Sequence, residues 1–531
     1  MRVTFMQNRN RRTKIPGCRI RFFASGAALV TVFVFFTLAL GYATEFSETA
    51  DPGNTVPGRQ PQTHVAELAV SAWNVSLEME SARMKIRASI ELFAERLHEL
   101  REQSPNITNL NKSCHFAYPL NRRITRFEYK SKNARVKHSL TPVAFFNALQ
   151  QEAESRVFVF FDSLPWIVRQ TPVVLSPQFD IKKRFGLWRV FFCSPLPNKR
   201  DSRALPSRSD GEWALPLDEE YSESQFLRPQ PPLYMAVFFN AVVSNSFVIT
   251  CGGNVYTCGG CLRRWHLPII QSTEQLDWRG VVVALCDEWC KGYYHFTHEH
   301  LPRLALVHKI LLEREDAVLV LYAPMKSFHR QWLIDVLGIP SGRIMRKTLP
   351  VHGNLVLYPI PNVCGTPFTH LTYALRDIVF ERLHLMPPLP VTQRKLRLLF
   401  AERARLSRMP FNYHKLKQQI LEEYDALFEF RALSGNLHVA EQIHAFYDAD
   451  IVVGPHGSNL ANAMWMRHGS HLMEFISYRY ANMCYHTTAS SINVTYHAIF
   501  HNAWKDGKYF LSYETIRRHI NYAVEALLKS Q

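Results

Sequence analysis

Apolar positions change their period several times along this chain, and those changes divide it. Phe22 to Ala43 is a run without charge, rich in Phe, Val, Leu and Ala. At about 1.5 Å per residue, a helix of that length crosses a bilayer core of about 30 Å. Residues 44–65 lose the pattern and are rich in Thr, Pro, Gly and Gln, which reads as a flexible stem. From Val65 to Glu102 a helical period appears. Ile86, Ile90, Phe93, Leu97 and Leu100 repeat at alternating spacings of four and three, the stripe of a coiled coil. So short a stripe suits either a stem helix packed on the body or a homodimer contact through the stem. Residues 103–112 read as a polar loop. Between Cys114 and Pro232 one segment, Arg156–Phe161, stands out as a strand. Residues 195–232 are rich in Pro, Ser, Arg and acidic residues without a period, and read as a surface insertion.

Beyond Tyr234 the alternation becomes regular. Val281–Leu285, Ala317–Tyr322 and Asn354–Tyr358 read as strands; Leu301–Arg314, His329–Leu337 and Phe368–Leu385 read as helices. The stiff breaker Pro387-Pro388-Leu389-Pro390 interrupts the series. Then come strands Leu396–Ala401, Ala426–Phe430, Ile451–Gly454 and Leu472–Ile476. Helices Tyr413–Glu423 and His438–Tyr447, a helix after Asn459, and a last helix Tyr513–Leu528 alternate with them. Strands alternating with helices on both sides of a Pro-rich linker predict an α/β protein with two doubly wound, Rossmann-like parallel-sheet domains facing a cleft. The expected organisation is a tail at 1–21, a transmembrane anchor at 22–43, a stem at 44–112, a first α/β domain at 113–386 and a second at 387–531.

Charge gives this organisation a direction. Arg2, Arg9, Arg11, Arg12, Lys14, Arg19 and Arg21 precede the apolar run, and Glu45, Glu48 and Asp51 follow it. That asymmetry predicts a cytosolic N-terminus and a lumenal body, a single-pass type II arrangement. A cleaved signal peptide is the alternative, with small residues at Gly41-Tyr42-Ala43. The sequons at Asn74, Asn106, Asn111 and Asn493 agree with a lumenal body. The net charge of +17 lies partly in the tail, and suits anionic small molecules at least as well as nucleic acid, for which no signature is present. Of ten cysteines, Cys18 falls on the cytosolic side. The others favour disulfides in an oxidising lumen, and Cys258-x-x-Cys261 with Cys286-x3-Cys290 leaves a zinc site as the alternative.

The sharpest candidate for chemistry is Asp450-Ile-Val-Val-Gly-Pro-His-Gly-Ser-Asn459. An apolar strand runs into a turn bounded by Gly454 and Gly457, and a helix opens at Ser458-Asn459. Helix starts offer free N–H groups and a partial positive charge, the physics of a phosphate cradle. His456 adds a donor. A tight turn with a structural histidine is the plainer reading. Arg403 and Arg408, with Asn412 after them, follow the first strand of the second domain, where guanidinium groups suit a diphosphate; a solvated basic loop is the alternative. In Tyr293-Tyr-His295-Phe-Thr-His298-Glu299, His295 and Glu299 stand four apart, which suits a metal cluster, or Glu299 instead acts as a general base. Glu474, at the end of a short strand, suits ribose hydroxyls or a half-buried structural role. Asp448-Ala449-Asp450 resembles a metal-binding acidic pair but lies at the wrong end of its strand, and no metal is expected.

These pieces together resemble glycosyltransferase family 61, which includes β-1,2-xylosyltransferases, arabinosyltransferases and O-linked N-acetylglucosaminyltransferases. The likeness runs from Val281 to Phe500. It rests on Tyr294-His-Phe-Thr-His-Glu-His-Leu-Pro-Arg-Leu304, Leu337-Gly-Ile-Pro-Ser-Gly-Arg-Ile344, Tyr358-Pro-Ile-Pro, the spaced arginines with Asn412, Ala449 to Asn462, and Met473-Glu-Phe475. The resemblance implies a GT-B architecture, a UDP-sugar donor (UDP-xylose first, UDP-N-acetylglucosamine or UDP-arabinose as alternatives) and a glycan or glycoprotein acceptor. It also implies inversion, no cofactor or required metal, and a Golgi or ER membrane location. Glu299 falls at the catalytic position of the family, His456, Arg403 and Arg408 at donor-phosphate positions, and Glu474 at a ribose contact. Ser458-Asn459 departs from the Ala-Gly that many members carry. A non-catalytic, membrane-anchored glycan-binding protein is the reading from a different class.

Overall fold

The computed structural model describes residues 81–97 and 99, residue 149, short strands between 136 and 168, and most of the chain from 227 to 529. The gaps in that last stretch are 231–232, 245–246, 251–254, 258–276, 286–287, 322–324, 346–349, 361–367, 404–407, 478–483, 502 and 504–507. The tail, the apolar run 22–43, most of the insertion and the sequons at Asn74, Asn106 and Asn111 lie outside the described residues. Among the described residues no helix is long and apolar enough to cross a membrane.

Two large sheets carry the fold. The second is the simpler, with five strands in the order Phe428–Ser434, Leu396–Glu402, Ile451–Pro455, His471–Ser477, Thr495–His501, all parallel. Its central strands are buried on both faces, as parallel strands covered by helices must be. Helices Tyr413–Tyr424 and Tyr513–Lys529 cover one face. Helix Val439–Asp448 packs on the other, started by a reciprocal cap in which His438 Nδ1 accepts from Ala440 N and Glu441 accepts from His438 N.

The first sheet has nine strands and differs from expectation. Ile344–Met345, Ala317–Val320, Asp277–Ala284 and Val351–Pro359 run parallel, but Leu233–Ser244 lies antiparallel to Val351–Pro359. Along the far side of that long strand run Ser155–Phe161 and Phe247–Ile249, both antiparallel. The sheet is therefore mixed rather than doubly wound throughout. Leu227–Gln230, expected within the insertion, forms a small hairpin-like sheet with Leu164–Val168.

The helical stripe near residue 90 is used within the chain. Ile86, Phe93 and Leu97 are buried, Phe93 packs against Phe158 and Phe160 at 5.1 and 5.5 Å, and Arg83 and Glu91 pair with Asp377 and Lys309. The stripe is covered by the body, so the homodimer contact expected through it is not available. One continuous apolar layer joins the two sheets, with Trp332 of one half against Trp465 of the other at 5.1 Å. Tyr293 donates to Asn462 across the same boundary at 2.7 Å.

Candidate active site

Strand order locates the ligand edge before any side chain is considered. In the second sheet the chain passes first from Leu396–Glu402 outward to Phe428–Ser434, then returns to the other side at Ile451–Pro455. Loops leaving the carboxyl ends of strands at such a reversal separate, and the gap between them is where doubly wound sheets take ligands. The loops at this point carry Arg403 and Arg408 on one side and His456, Gly457 and Ser458 on the other.

The two loops touch. A Cβ at Gly457 would collide with the Arg403 guanidinium, so the missing side chain is what lets the arginine lie on the turn. Arg408 adopts a left-handed backbone (φ 63°) and its guanidinium reaches the His456 carbonyl at 3.4 Å. Such a conformation in a non-glycine residue is held by its surroundings, here by Tyr509, which donates to the Arg408 carbonyl at 2.6 Å. The exposed Ser458 begins a tightly wound helix, Ser458–Trp465.

Other predicted donor contacts have different work. Glu474 is 0% exposed; its carboxylate accepts from Tyr496 at 2.5 Å and meets His456 Nδ1 at 2.5 Å. It orients the histidine and is not placed for ribose. With Nδ1–H held by the carboxylate, Nε2 is the ring nitrogen left for a phosphate oxygen, and it donates there as the imidazolium. Asn412 bridges to Leu511, donating to its carbonyl and accepting from its N–H, and so clips two loops together. Asn459 donates to the carbonyls of Glu402 and Leu433 and ties two strand ends. Gly454 answers to its neighbouring strand: a Cβ there would sit 2.6 Å from the Ala401 carbonyl oxygen. Gly454→Ala should therefore lower stability by about 1–3 kcal/mol, read as a shift in the urea midpoint. An unchanged midpoint would mean that these strands can part without penalty. Asn493 lies exposed in a left-handed turn (φ 54°).

Glu299 comes from the first sheet. After strand Asp277–Ala284 the chain forms a short helix, Tyr293–His295, which widens into a π-turn over Phe296–His300. Arg303 fixes this turn at the carboxyl edge by donating to the carbonyls of Leu285 and Pro359, each at 2.7 Å, which end neighbouring strands. The histidines of the motif then separate by role. His298 stacks on Tyr294 at 4.4 Å, and burial pushes its pKa down to about 3, so it is neutral. His300 contacts the Leu285 carbonyl at 3.1 Å. His295 pairs with Glu299 at 2.9 Å, and Glu299 is 4% exposed. Among the described residues no group of three or more His, Cys, Asp or Glu side chains is arranged to hold a metal. Cys290 is disulfide-bonded.

The two half-sites meet at helix Cys484–Ser491, which sequence reasoning did not identify. Tyr294 hydrogen-bonds the buried Cys484 thiol, and Tyr485 lies edge-on to Tyr294 at 5.6 Å and against His456 at 5.3 Å. Glu299 and Glu474 both raise the pKa of that thiol, after burial itself. Carboxylates from opposite sheets thus converge on one buried residue. Asp450 lies far from this point, before its strand begins. Burial pushes its carboxyl up, but Arg394, the Arg397 N–H and Arg467 outweigh that and hold it below the usual range.

Arg403, Arg408 and His456 thus stand at the carboxyl edge of one sheet, and the His295–Glu299 pair beyond the carboxyl edge of the other, linked through Tyr294 and Tyr485. Residues 293–473, which include both the Glu299 turn and the His456 loop, match the family model Glycosyltransferase 61. The protein is a glycosyltransferase. It carries a glycosyltransferase family 61 domain over those residues. No curated protein matches the chain.

Proposed function

We propose that the protein transfers a sugar from a UDP-sugar to a hydroxyl of a glycan or glycoprotein acceptor in one inverting displacement. Glu299, aligned by His295, takes the acceptor proton. The hydroxyl oxygen attacks the anomeric carbon as the bond to the diphosphate breaks. Arg403, Arg408, His456 and the amides at the start of helix Ser458–Trp465 stabilise the charge that grows on UDP. Fixed cations and dipoles in that position do the work a divalent ion does elsewhere, so no metal is required. UDP-xylose is the first donor to try, then UDP-N-acetylglucosamine and UDP-arabinose. The apolar run 22–43, its flanking charges and the sequons support a type II placement in the Golgi or ER, with the catalytic body lumenal.

The observation that carries this reading is the approach of Arg403 to Gly457 at the strand-order reversal, with the Glu299 turn brought alongside through Tyr294 and Tyr485. The test is release of UDP from each donor with and without a glycan acceptor, in EDTA and in Mn²⁺. One donor should give acceptor-dependent release that persists in EDTA. Activity abolished by EDTA and restored by Mn²⁺ would overturn the metal-free mechanism. No release from any of the three would overturn the donor assignment.

A further inference from the structure

Tyr485 takes no chemical step in the mechanism above, yet it touches Gly457, His456 and Tyr294. It is 2% exposed, and its hydroxyl donates to the Gly457 carbonyl at 2.6 Å. That carbonyl also accepts from Leu460 N at 2.9 Å. Burial pushes the phenol well above its ordinary pKa, with Arg403 and Arg408 near enough to oppose part of the shift. The hydroxyl therefore keeps its proton and remains a donor.

The peptide joining Gly457 to Ser458 is trans. In a trans peptide the C=O and the following N–H point in opposite directions. Two donors holding the Gly457 carbonyl inward thus aim the Ser458 N–H outward, on the exposed side of the turn. We infer that Tyr485 is a positioning residue for the donor diphosphate: its hydroxyl sets the Gly457–Ser458 peptide so that the Ser458 amide faces a phosphate oxygen. Neither His456 nor the arginines need move for this; the residue acts through the backbone. The inference rests on the turn being the diphosphate site.

Tyr485→Phe keeps the ring and its contacts with His456 and Tyr294 and removes only the donor. Affinities for UDP and for uridine, measured by calorimetry on the whole protein, separate the roles. UDP affinity should fall roughly fivefold to thirtyfold, the effect of one buried hydrogen bond, with uridine affinity unchanged. Equal losses for both ligands, or no loss, would overturn the inference. Ser458→Pro supplies an independent arm. Proline is accommodated at the first position of a helix and lacks the N–H, so it should reproduce the UDP-selective loss; wild-type UDP affinity in that variant would also overturn it. Arg403→Ala tests the underlying reading. If it leaves UDP affinity intact, the turn is not the diphosphate site, whatever Tyr485→Phe does.

Discussion

Replacing Glu299 by glutamine should lower turnover about 10²–10⁴-fold while UDP affinity stays within about twofold. Glutamine has the shape of glutamate and can still accept from His295, so the 2.9 Å contact and the π-turn around it are preserved. What it cannot do is take a proton from an acceptor hydroxyl. In the proposed mechanism donor phosphates are held from the other sheet, so their binding should not register the change. Turnover and UDP affinity are read on the same preparation, with a thermal melt to establish that the turn is intact. Full activity in Glu299→Gln would end its assignment as the base. A parallel loss of UDP affinity would instead place Glu299 in the donor pocket.

The protein should also lose stability steeply as pH falls below about 6.5. His471, His497 and His519 form a buried row, with ring nitrogens 2.8 and 3.1 Å apart. Burial lowers His471 and His519 to about 4, and lowers His497 well below the ordinary value, with its histidine neighbours adding to the effect. Asp450 opposes the shift at His471 alone. The ring of Tyr522, which packs on His497, brings no charge at these pH values. His329, His352 and His501 are each lowered to about 4, again chiefly by burial. The sign follows from where protons bind. An unfolded histidine takes a proton near pH 6.5 and these folded ones resist until about 4, so the unfolded state binds more protons between those values. Stability is therefore complete above about 6.5 and is lost as pH falls through the window. A group shifted this far loses about 2 kcal/mol by pH 5, and a few of them together approach the whole stability of a typical domain, about 5–15 kcal/mol. Urea unfolding at pH 7.5 and pH 5.5 measures it. A midpoint that barely moves would mean these histidines are already charged in the fold.

Much of the second sheet was legible because its strands are short apolar runs closed by turn residues, and its helices carry clear amphipathic faces. Arg403, Arg408 and His456 were legible for the same reason: they follow strands whose ends were visible. Glu474 was not, since a strand reading shows neither which face a residue takes nor that Tyr496, one strand over, supplies its second partner. Asn412 misled similarly, because its partner Leu511 lies far along the chain. Leu233–Ser244 is apolar on nearly every residue, and a strand buried on both faces shows no alternation to find. The stripe on the helix around residue 90 was visible, but its occupant was not until Phe158 and Phe160 were seen beneath Phe93. Helix Cys484–Ser491 is buried at all eight residues although most of them are His, Thr or Ser, so no apolar stripe announces it.

The apolar layer shared by the two sheets decides what can be done with either half alone. A fragment begun after Pro390 would leave Leu460, Met464, Trp465 and Tyr485 without the surface that covers them. Such a piece would aggregate rather than bind nucleotide. Grafting one half onto a relative's other half would have to match this layer as well as the loops. Redesign of this enzyme would have to proceed through the loops at the carboxyl edge, with the layer beneath them kept whole.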